Sequence, residues 1–340
     1  MNAIKFKSWQ NKKSPKKVLA IRYQAMGDIV ITLPYLNDFK YQFPDSELHF
    51  LTTNECSAIP KSLTIFNKVI VIRGGRSTKL QFFFTLCKLP SLLWQRYDIV
   101  MDLQNNKISR IVRRILKPTA WCEFDRFSAK SASERNRLTI ETLGLGEIEL
   151  KTSINQSINE NDISNKLILN GWKQGHILIV LNPAGAFETR NWPLSNYVTL
   201  SSLLKNKNQK FQFLIIGLKS RLNKAVQYLK SHLQDDLVDM TDRTNASEAF
   251  ALVRRAKLII TEDSGLMHMA WVQGIPTLAL FGSTRNDWSS PQGSWSVCFN
   301  SSDLPCGNCM LETCIYNDNH CLTRYTPELV FEKASMLLNQ

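Results

Sequence analysis

Short apolar runs recur along the chain, each followed by a polar turn and then by a segment of helical length. Val18 to Ile21 reads as the first buried strand. A turn over Tyr23-Gln24-Ala25-Met26-Gly27-Asp28 follows, and an apolar helical segment starts at Ile29. Leu48 to Thr52, Lys68 to Ile72 and Asp98 to Leu103 are further strands, and Lys107 to Leu116 has the length of a helix. Alternation of this kind predicts a parallel sheet covered by helices.

A polar stretch rich in Asn and Ser, from Lys151 to Asn165, breaks the pattern, which then restarts. His176 to Leu181 is a strand, followed by a loop over Asn182 to Trp192 and a helix from Leu194. Phe211 to Ile216, Leu258 to Thr261 and Thr277 to Phe281 are strands that each end in a polar or glycine-containing loop. The expected fold is α/β: two doubly wound, Rossmann-like domains, 1–165 and 166–340, facing each other across a cleft. In such sheets ligands bind beyond the C-terminal ends of the strands, so the loops just named should carry the chemistry.

The segment Leu80 to Trp94 is apolar but interrupted by Lys88 and Pro90. It is expected to be a core-facing helix or a helix end, with a membrane-touching face as the alternative.

Composition narrows the class. A chain of 340 residues has room for two domains, and 44% hydrophobic residues supply their cores. No uninterrupted apolar run reaches the roughly 18 residues that a membrane-spanning helix needs. The Lys-rich start carries no apolar segment behind it, so no secretory signal is read and a cytoplasmic location is expected. Charge is unevenly spread: residues 1–140 hold 24 Lys and Arg against 10 Asp and Glu, and the remainder is nearly balanced. A one-sided positive field attracts an anionic partner. That partner could be nucleic acid, an anionic lipid or a phosphorylated glycan, and a solvated basic surface with no specific partner is the plain alternative. No nucleic-acid recognition module accompanies the charge, so nucleic acid is not expected.

The strongest local signal is the segment 258–282. Strand Leu258–Thr261 leads through Glu262-Asp263-Ser264-Gly265 into a helix near Leu266. Gly265 permits close backbone approach, free N–H groups of a first helical turn suit a diphosphate, and Ser264 and His268 can donate to the same anion. Asp263 suits an N-cap or a ribose hydroxyl better than a phosphate, because like charges repel. The plain alternative is that Asp263 and Ser264 only cap the helix. The loop Asn182 to Pro193 offers Arg190 as a counter-charge for a diphosphate.

These segments resemble glycosyltransferase family 9, the ADP-heptose:lipopolysaccharide heptosyltransferases. Thr261-Glu262-Asp263-Ser264-Gly265-Leu266-Met267-His268, with Gly274-Ile275-Pro276-Thr277 and Phe281-Gly282-Ser283-Thr284, is similar to that family's signature. So are Asn182-Pro183-Ala184-Gly185 with Arg190, Trp192 and Pro193, Tyr97 to Gln104, and Arg22 to Pro34 with its Gly27-Asp28. The resemblance implies a GT-B fold, with an acceptor-binding first domain and a nucleotide-sugar-binding second one. It implies an inverting transfer of heptose from ADP-heptose to an anionic lipopolysaccharide inner-core acceptor, with contact at the inner membrane's cytoplasmic face. Ser264, Gly265, His268 and Arg190 would contact the diphosphate, and Asp263 would lie near the sugar.

Asp28 is the implied general base, the group that takes the acceptor's hydroxyl proton. On the residues alone, Asp28 would be a helix cap and Gly27 turn punctuation. Gly217-Leu218-Lys219 departs from the family pattern near the nucleoside, which leaves the base open. Lys107, Arg110, Arg126 and Arg135 are the expected acceptor contacts. Alternatives are another nucleotide sugar, a protein acceptor, or a non-catalytic nucleotide- or glycan-binding protein on the same fold.

No catalytic cofactor is expected, since no paired-acid metal motif stands out. Asp235-Asp236 reads as solvated surface. Cys306, Cys309, Cys314 and Cys321 lie within 16 residues, with His320 adjacent. Four such thiolates suit a structural zinc or iron, and four reduced surface thiols are the alternative.

Overall fold

The computed structural model describes residues 4–75 and 77–339. The chain divides into two compact units, 1–157 and 158–340. The first contains β1 (Phe6–Lys7), β2 (Lys17–Ile21), α1 (Met26–Gln42), β3 (Glu47–Thr53), α2 (Ala58–Ser62) and β4 (Lys68–Ile72). It continues through α3 (Thr78–Trp94), β5 (Ile99–Asp102), α4 (Lys107–Leu116), β6 (Ala120–Glu123) and α5 (Ala132–Glu141). The second unit opens with α6 (Glu160–Leu169), β7 (Ile177–Asn182), α7 (Leu194–Lys207), β8 (Phe211–Ile215), α8 (Lys219–Leu233) and β9 (Leu237–Asp239). It closes with α9 (Ala246–Arg254), β10 (Ala256–Glu262), α10 (Gly265–Trp271), β11 (Thr277–Leu280), α11 (Asn286–Ser289), β12 (Ser296–Phe299), α12 (His320–Thr323) and α13 (Pro327–Leu338).

The sheet orders are β1-β6-β5-β2-β3-β4 and β12-β11-β10-β7-β8-β9. All neighbours are parallel except β1, which runs antiparallel to β6 at the edge. Strands β2, β5, β7 and β10 are buried on both faces, which is why they read as continuous apolar runs and not as alternating ones. On one side of the first sheet, Leu19, Ile21, Leu51 and Val100 pack with Leu89 and Leu92 of α3 and Ile108 and Val112 of α4. In the second unit, Ile179, Leu181, Leu258 and Ile260 pack with Trp192, Tyr197 and Leu200.

In each sheet the strand order reverses once, between β2 and β5 and between β7 and β10. Crevices at such reversals are where doubly wound sheets hold ligands. The loops leaving those four strands therefore position the candidate chemistry.

Three details differ from the sequence expectation. Helix α1 starts at Met26, not Ile29, so Gly27 and Asp28 lie in its first turn. The Asp28 carboxylate accepts the Ala25 backbone N–H at 3.2 Å and supports that earlier start. The stretch from Lys151 to Asn165 is split: Leu63 bridges Gln156 in the first unit, whereas α6 packs on α9 in the second. Helix α3 runs straight through Lys88 and Pro90, and only Gln81, Thr85, Leu89 and Leu92 of it are buried. It meets the core through Leu89 and Leu92, with Phe84 packed against the same cluster, but half of its buried seam is polar. Its apolar residues mostly point outward.

Candidate active site

In the second unit, Asn182 ends β7 fully buried. Its Nδ2 donates to Thr261 Oγ1 and to Ser264 Oγ, each at 2.7 Å. Glu262, the last residue of β10, is also fully buried. Its Oε2 accepts the Gly185 N–H at 2.6 Å, its Oε1 accepts the Trp192 N–H at 2.7 Å, and Tyr197 donates its hydroxyl to Oε1 at 3.4 Å. One carboxylate thus pins both ends of the loop 183–193. A Cβ on Gly185 would come within 2.6 Å of the Arg190 carbonyl oxygen, so the fold of this loop on itself needs glycine there.

Arg190 sits in that loop, and its Nη2 pairs with Asp263 Oδ2 at 2.8 Å and donates to the Asp263 carbonyl. The guanidinium lies 5.2 Å from the centre of the Phe187 ring. Asp263 is therefore the partner of Arg190 and not a helix cap. Ser264 occupies the N-cap position of α10 but makes no capping bond with its side chain; the hydroxyl accepts from Asn182 instead. A Cβ built on Gly265 would meet no atom within 4 Å, so the backbone there is open to a ligand. His268 is buried, and its Nδ1 accepts the Trp271 indole N–H at 3.1 Å. That bond places the proton of the neutral ring on Nε2, the nitrogen able to donate.

In the first unit, the Asp28 side chain is 41% exposed and pairs through Oδ2 with Arg22 Nη2 at 2.9 Å. Arg22 is buried, donates to the Leu103 carbonyl and lies 5.0 Å from the centre of the Phe124 ring. Gln104 Oε1 accepts the N–H groups of Tyr23 and Gln24, at 2.9 and 3.2 Å, and ties the β2 turn to the β5 turn. Arg135 lies over the same Phe124 ring at 5.1 Å and within electrostatic reach of Asp28. Burial lowers the Arg135 pKa, and Asp28 opposes that effect.

Arg110 and Arg126 line one small pocket with Asn105, Phe124 and Phe127. Lys107 is exposed at the start of α4 and does not line it. The expected acceptor residues are thus partly gathered. Arg135 stands by Asp28, Arg110 and Arg126 share the neighbouring pocket, and Lys107 is apart.

Cys306, Cys309, Cys314 and Cys321 line one cavity of about 250 Å³. The Cys321 thiol is pushed up to about 11, chiefly by burial and then by the nearness of Cys314, Cys309 and Cys306. Among the described residues, no three His, Cys, Asp or Glu side chains are arranged as ligands around one point. The segment leans on the Arg190 loop. Thr189 bonds through its hydroxyl to Ser283 Oγ at 2.8 Å and to the Leu311 carbonyl, and Asn319 Nδ2 donates to Glu188 Oε1 at 3.1 Å.

The family model described as "Glycosyltransferase family 9 (heptosyltransferase)" matches residues 88–320. The chain belongs to glycosyltransferase family 9. This family 9 chain is accordingly a glycosyltransferase, and its pair of parallel-sheet units is of the GT-B class. It is 25% identical over 324 residues to lipooligosaccharide heptosyltransferase 2 of Campylobacter jejuni, covering 92% of this chain and 95% of that one. In fold it is similar to the ADP-heptose lipopolysaccharide heptosyltransferase II of E. coli: TM-score 0.71, 17% identity, 95% of this chain and 99% of that one. It is also similar in fold to the iron-containing dodecameric glycosyltransferase TibC from enterotoxigenic E. coli: TM-score 0.53, 13% identity, 96% of this chain and 77% of that one. No helix among the described residues of this family 9 chain is long and apolar enough to cross a membrane.

Sequence reading passed over Asn182 and Glu262 as functional groups, and treated Arg22 and Gln104 only as motif letters. The available signal was an acid closing an apolar strand, as in Leu258-Ile259-Ile260-Thr261-Glu262, because an unpartnered carboxylate cannot be buried without cost. Burial pushes Glu262 up to about 8, against the pull of Gly185, Trp192, Tyr197 and Arg190. Burial likewise pushes Asp102, which accepts the Asn105 N–H at 2.7 Å, up to about 6.

A carboxyl raised above its unfolded value binds its proton more tightly in the folded state, so its stabilising effect is complete below the unfolded value. That effect is lost as pH rises from about 4 to 6 for Asp102 and from about 4.5 to 8 for Glu262. The denaturation midpoint of the family 9 chain is therefore expected to fall between pH 5 and pH 8.5, followed by tryptophan fluorescence in urea. Glu262→Gln should flatten the upper part of that slope, and an unchanged slope in this variant would remove Glu262 from the account.

Proposed function

We propose that this glycosyltransferase moves heptose, with inversion, from ADP-heptose to an anionic lipopolysaccharide inner-core acceptor. The second unit holds the donor, and the first holds the acceptor. What supports this most is Asp28, a partly exposed carboxylate at the strand-order reversal of the first unit. Its Oδ2 is anchored by Arg22 and the Ala25 N–H. Its Oδ1 makes no hydrogen bond among the described residues and is free to take a proton. In the proposed step the acceptor hydroxyl gives its proton to Asp28 while its oxygen bonds to the sugar's anomeric carbon. The bond from that carbon to the diphosphate breaks, and ADP leaves with the electron pair.

Charge growing on the leaving diphosphate needs donors already in place. Arg190, the Ser264 hydroxyl, the Gly265 backbone and His268 Nε2–H are those donors. Asp263 holds Arg190 in position before the donor arrives and lies near the sugar. Arg110, Arg126 and Arg135 meet the acid sugars and phosphates of the acceptor, with Lys107 as a peripheral contact. The names of similar proteins, a lipooligosaccharide heptosyltransferase and an ADP-heptose lipopolysaccharide heptosyltransferase, support the donor and acceptor classes. The test is incubation with ADP-heptose and Kdo-bearing lipid A, with product followed by mass spectrometry. Acceptor gaining one heptose supports the assignment. ADP binding without product would leave the donor site standing and remove the sugar or the acceptor.

The four cysteines fit a structural zinc or iron in number and kind, since soft thiolates around one cavity select such ions. TibC is described as iron-containing. We propose that Cys306, Cys309, Cys314 and Cys321 hold one such ion and so brace the loop that carries Arg190. Protein purified without oxygen should contain about one metal atom per chain by elemental mass spectrometry, lost in Cys309→Ser with Cys314→Ser. Metal-free protein with intact donor binding would overturn this.

A further inference from the structure

Helix α3 is patterned the wrong way round for a helix that faces water. Its buried seam is Gln81, Thr85, Leu89 and Leu92, half of it polar. Its outer face carries Trp94 at 84% exposure, Phe83 at 58%, Leu80 at 51%, Leu93 at 46% and Leu86 at 42%. At 3.6 residues per turn, Phe83, Pro90 and Trp94 lie directly opposite the buried seam. Helix α4 packs beside α3 and adds exposed Ile115 next to Arg114. Contiguous apolar exposure of this kind on one element marks an interaction surface.

Charge selects the partner. The thirty residues from Lys68 to Tyr97 hold six Lys or Arg and no Asp or Glu. The first unit as a whole carries 25 Lys and Arg against 13 Asp and Glu, while the second is nearly balanced at 17 against 16. A second copy meeting this face with its own would bring like charges together. An anionic lipid surface offers the complementary field, with an apolar layer just beneath it for Phe83 and Trp94. Lys79 and Lys88 can bury their stems while their ammonium groups reach the headgroups.

We propose that the outer face of α3 docks the first unit on a bilayer rich in anionic lipid, lying flat in the headgroup layer. The docking goes beyond sugar transfer and is measured without donor or acceptor, so its failure leaves the transferase assignment standing. The experiment is flotation of the full chain with vesicles of phosphatidylethanolamine and phosphatidylglycerol against vesicles of phosphatidylcholine alone, at low and at physiological salt. Brominated lipid reports on Trp94 by quenching, with Trp94→Phe as its control.

The wild type is expected to float with the anionic vesicles, less so in high salt, and hardly at all with the neutral ones. Phe83→Ser with Trp94→Ser should weaken that binding about tenfold or more, the loss of two partly buried aromatic side chains. Both residues are exposed, so the melting temperature should not move; a variant that melts early is replaced by Leu80→Ser with Leu86→Ser. Absence of wild-type binding would overturn the proposal. Undiminished binding by the double variants would also overturn it, assigning the attachment to charge alone. A dimer that these variants split, with no lipid binding, would give the face to a second copy and overturn it as well.

Discussion

Asp28→Asn is expected to lower kcat by roughly 10²- to 10⁴-fold, the usual contribution of a positioned general base. The substitution keeps size and shape. Its carboxamide oxygen can still accept from Arg22 and from the Ala25 N–H, which now meet the carboxylate at 2.9 and 3.2 Å. Only proton acceptance is lost, so donor binding in the second unit should be unaltered. Turnover is measured as ADP release in the presence of acceptor, and binding by calorimetry with ADP. Asp28→Ala is the harsher comparison, because it leaves the buried Arg22 guanidinium without its carboxylate. A turnover within threefold of wild type in Asp28→Asn would make Asp28 a cap for α1 and nothing more.

Glu262→Ala should destabilise the second unit by about 3 kcal/mol and raise the donor KM at the same time. The N–H groups of Gly185 and Trp192 and the Tyr197 hydroxyl would all lose their acceptor inside the protein. Each buried donor left alone costs about 1–3 kcal/mol, offset in part by removing a carboxylate that burial disfavours. The loop those bonds hold carries Arg190, so its loosening would reach the proposed diphosphate site without touching it. Glu262→Gln separates the two effects. Its carbonyl serves one backbone N–H while its amide faces the other, so an intermediate loss is expected. Urea denaturation and ADP titration on the same samples give both quantities. Full stability in Glu262→Ala would mean that water replaces the carboxylate and that the clamp is dispensable.

Much of the fold is legible in the chain because parallel strands buried on both faces must be continuously apolar. Lys68–Ile72 and Lys107–Leu116 are read from the sequence with the bounds they have in the structure, and β2, β3, β5, β7, β8, β10 and β11 within two residues, whereas the inner strand Ala120–Glu123 is not read at all. Three of the four edge strands among the described residues were less visible. Phe6–Lys7, Leu237–Asp239 and Ser296–Phe299 are short, and an edge needs little apolar content to hold its place. Helix α3 misled for a related reason. Periodicity records how apolar a segment is, and only packing decides which side of it meets the protein.

The sequence by itself singled out the loops of the candidate site, because glycine, Ser264, His268, Arg190 and Asp28 stand where apolar strands stop. Partnership between those loops was decided by tertiary structure alone. β7 and β10 are neighbours although about 80 residues separate their partnered positions, and so are β2 and β5. That adjacency brings Asp263 to Arg190, Glu262 to the backbone of Gly185 and Trp192, and Gln104 to the turn before Asp28. The cause is sheet order. Two strands come together when the sheet reverses direction, and no local residue pattern records where the reversal falls. Burial has the same origin: Glu262 and Asp102 look like ordinary acids in the chain, and only the layers around them raise their pKa values.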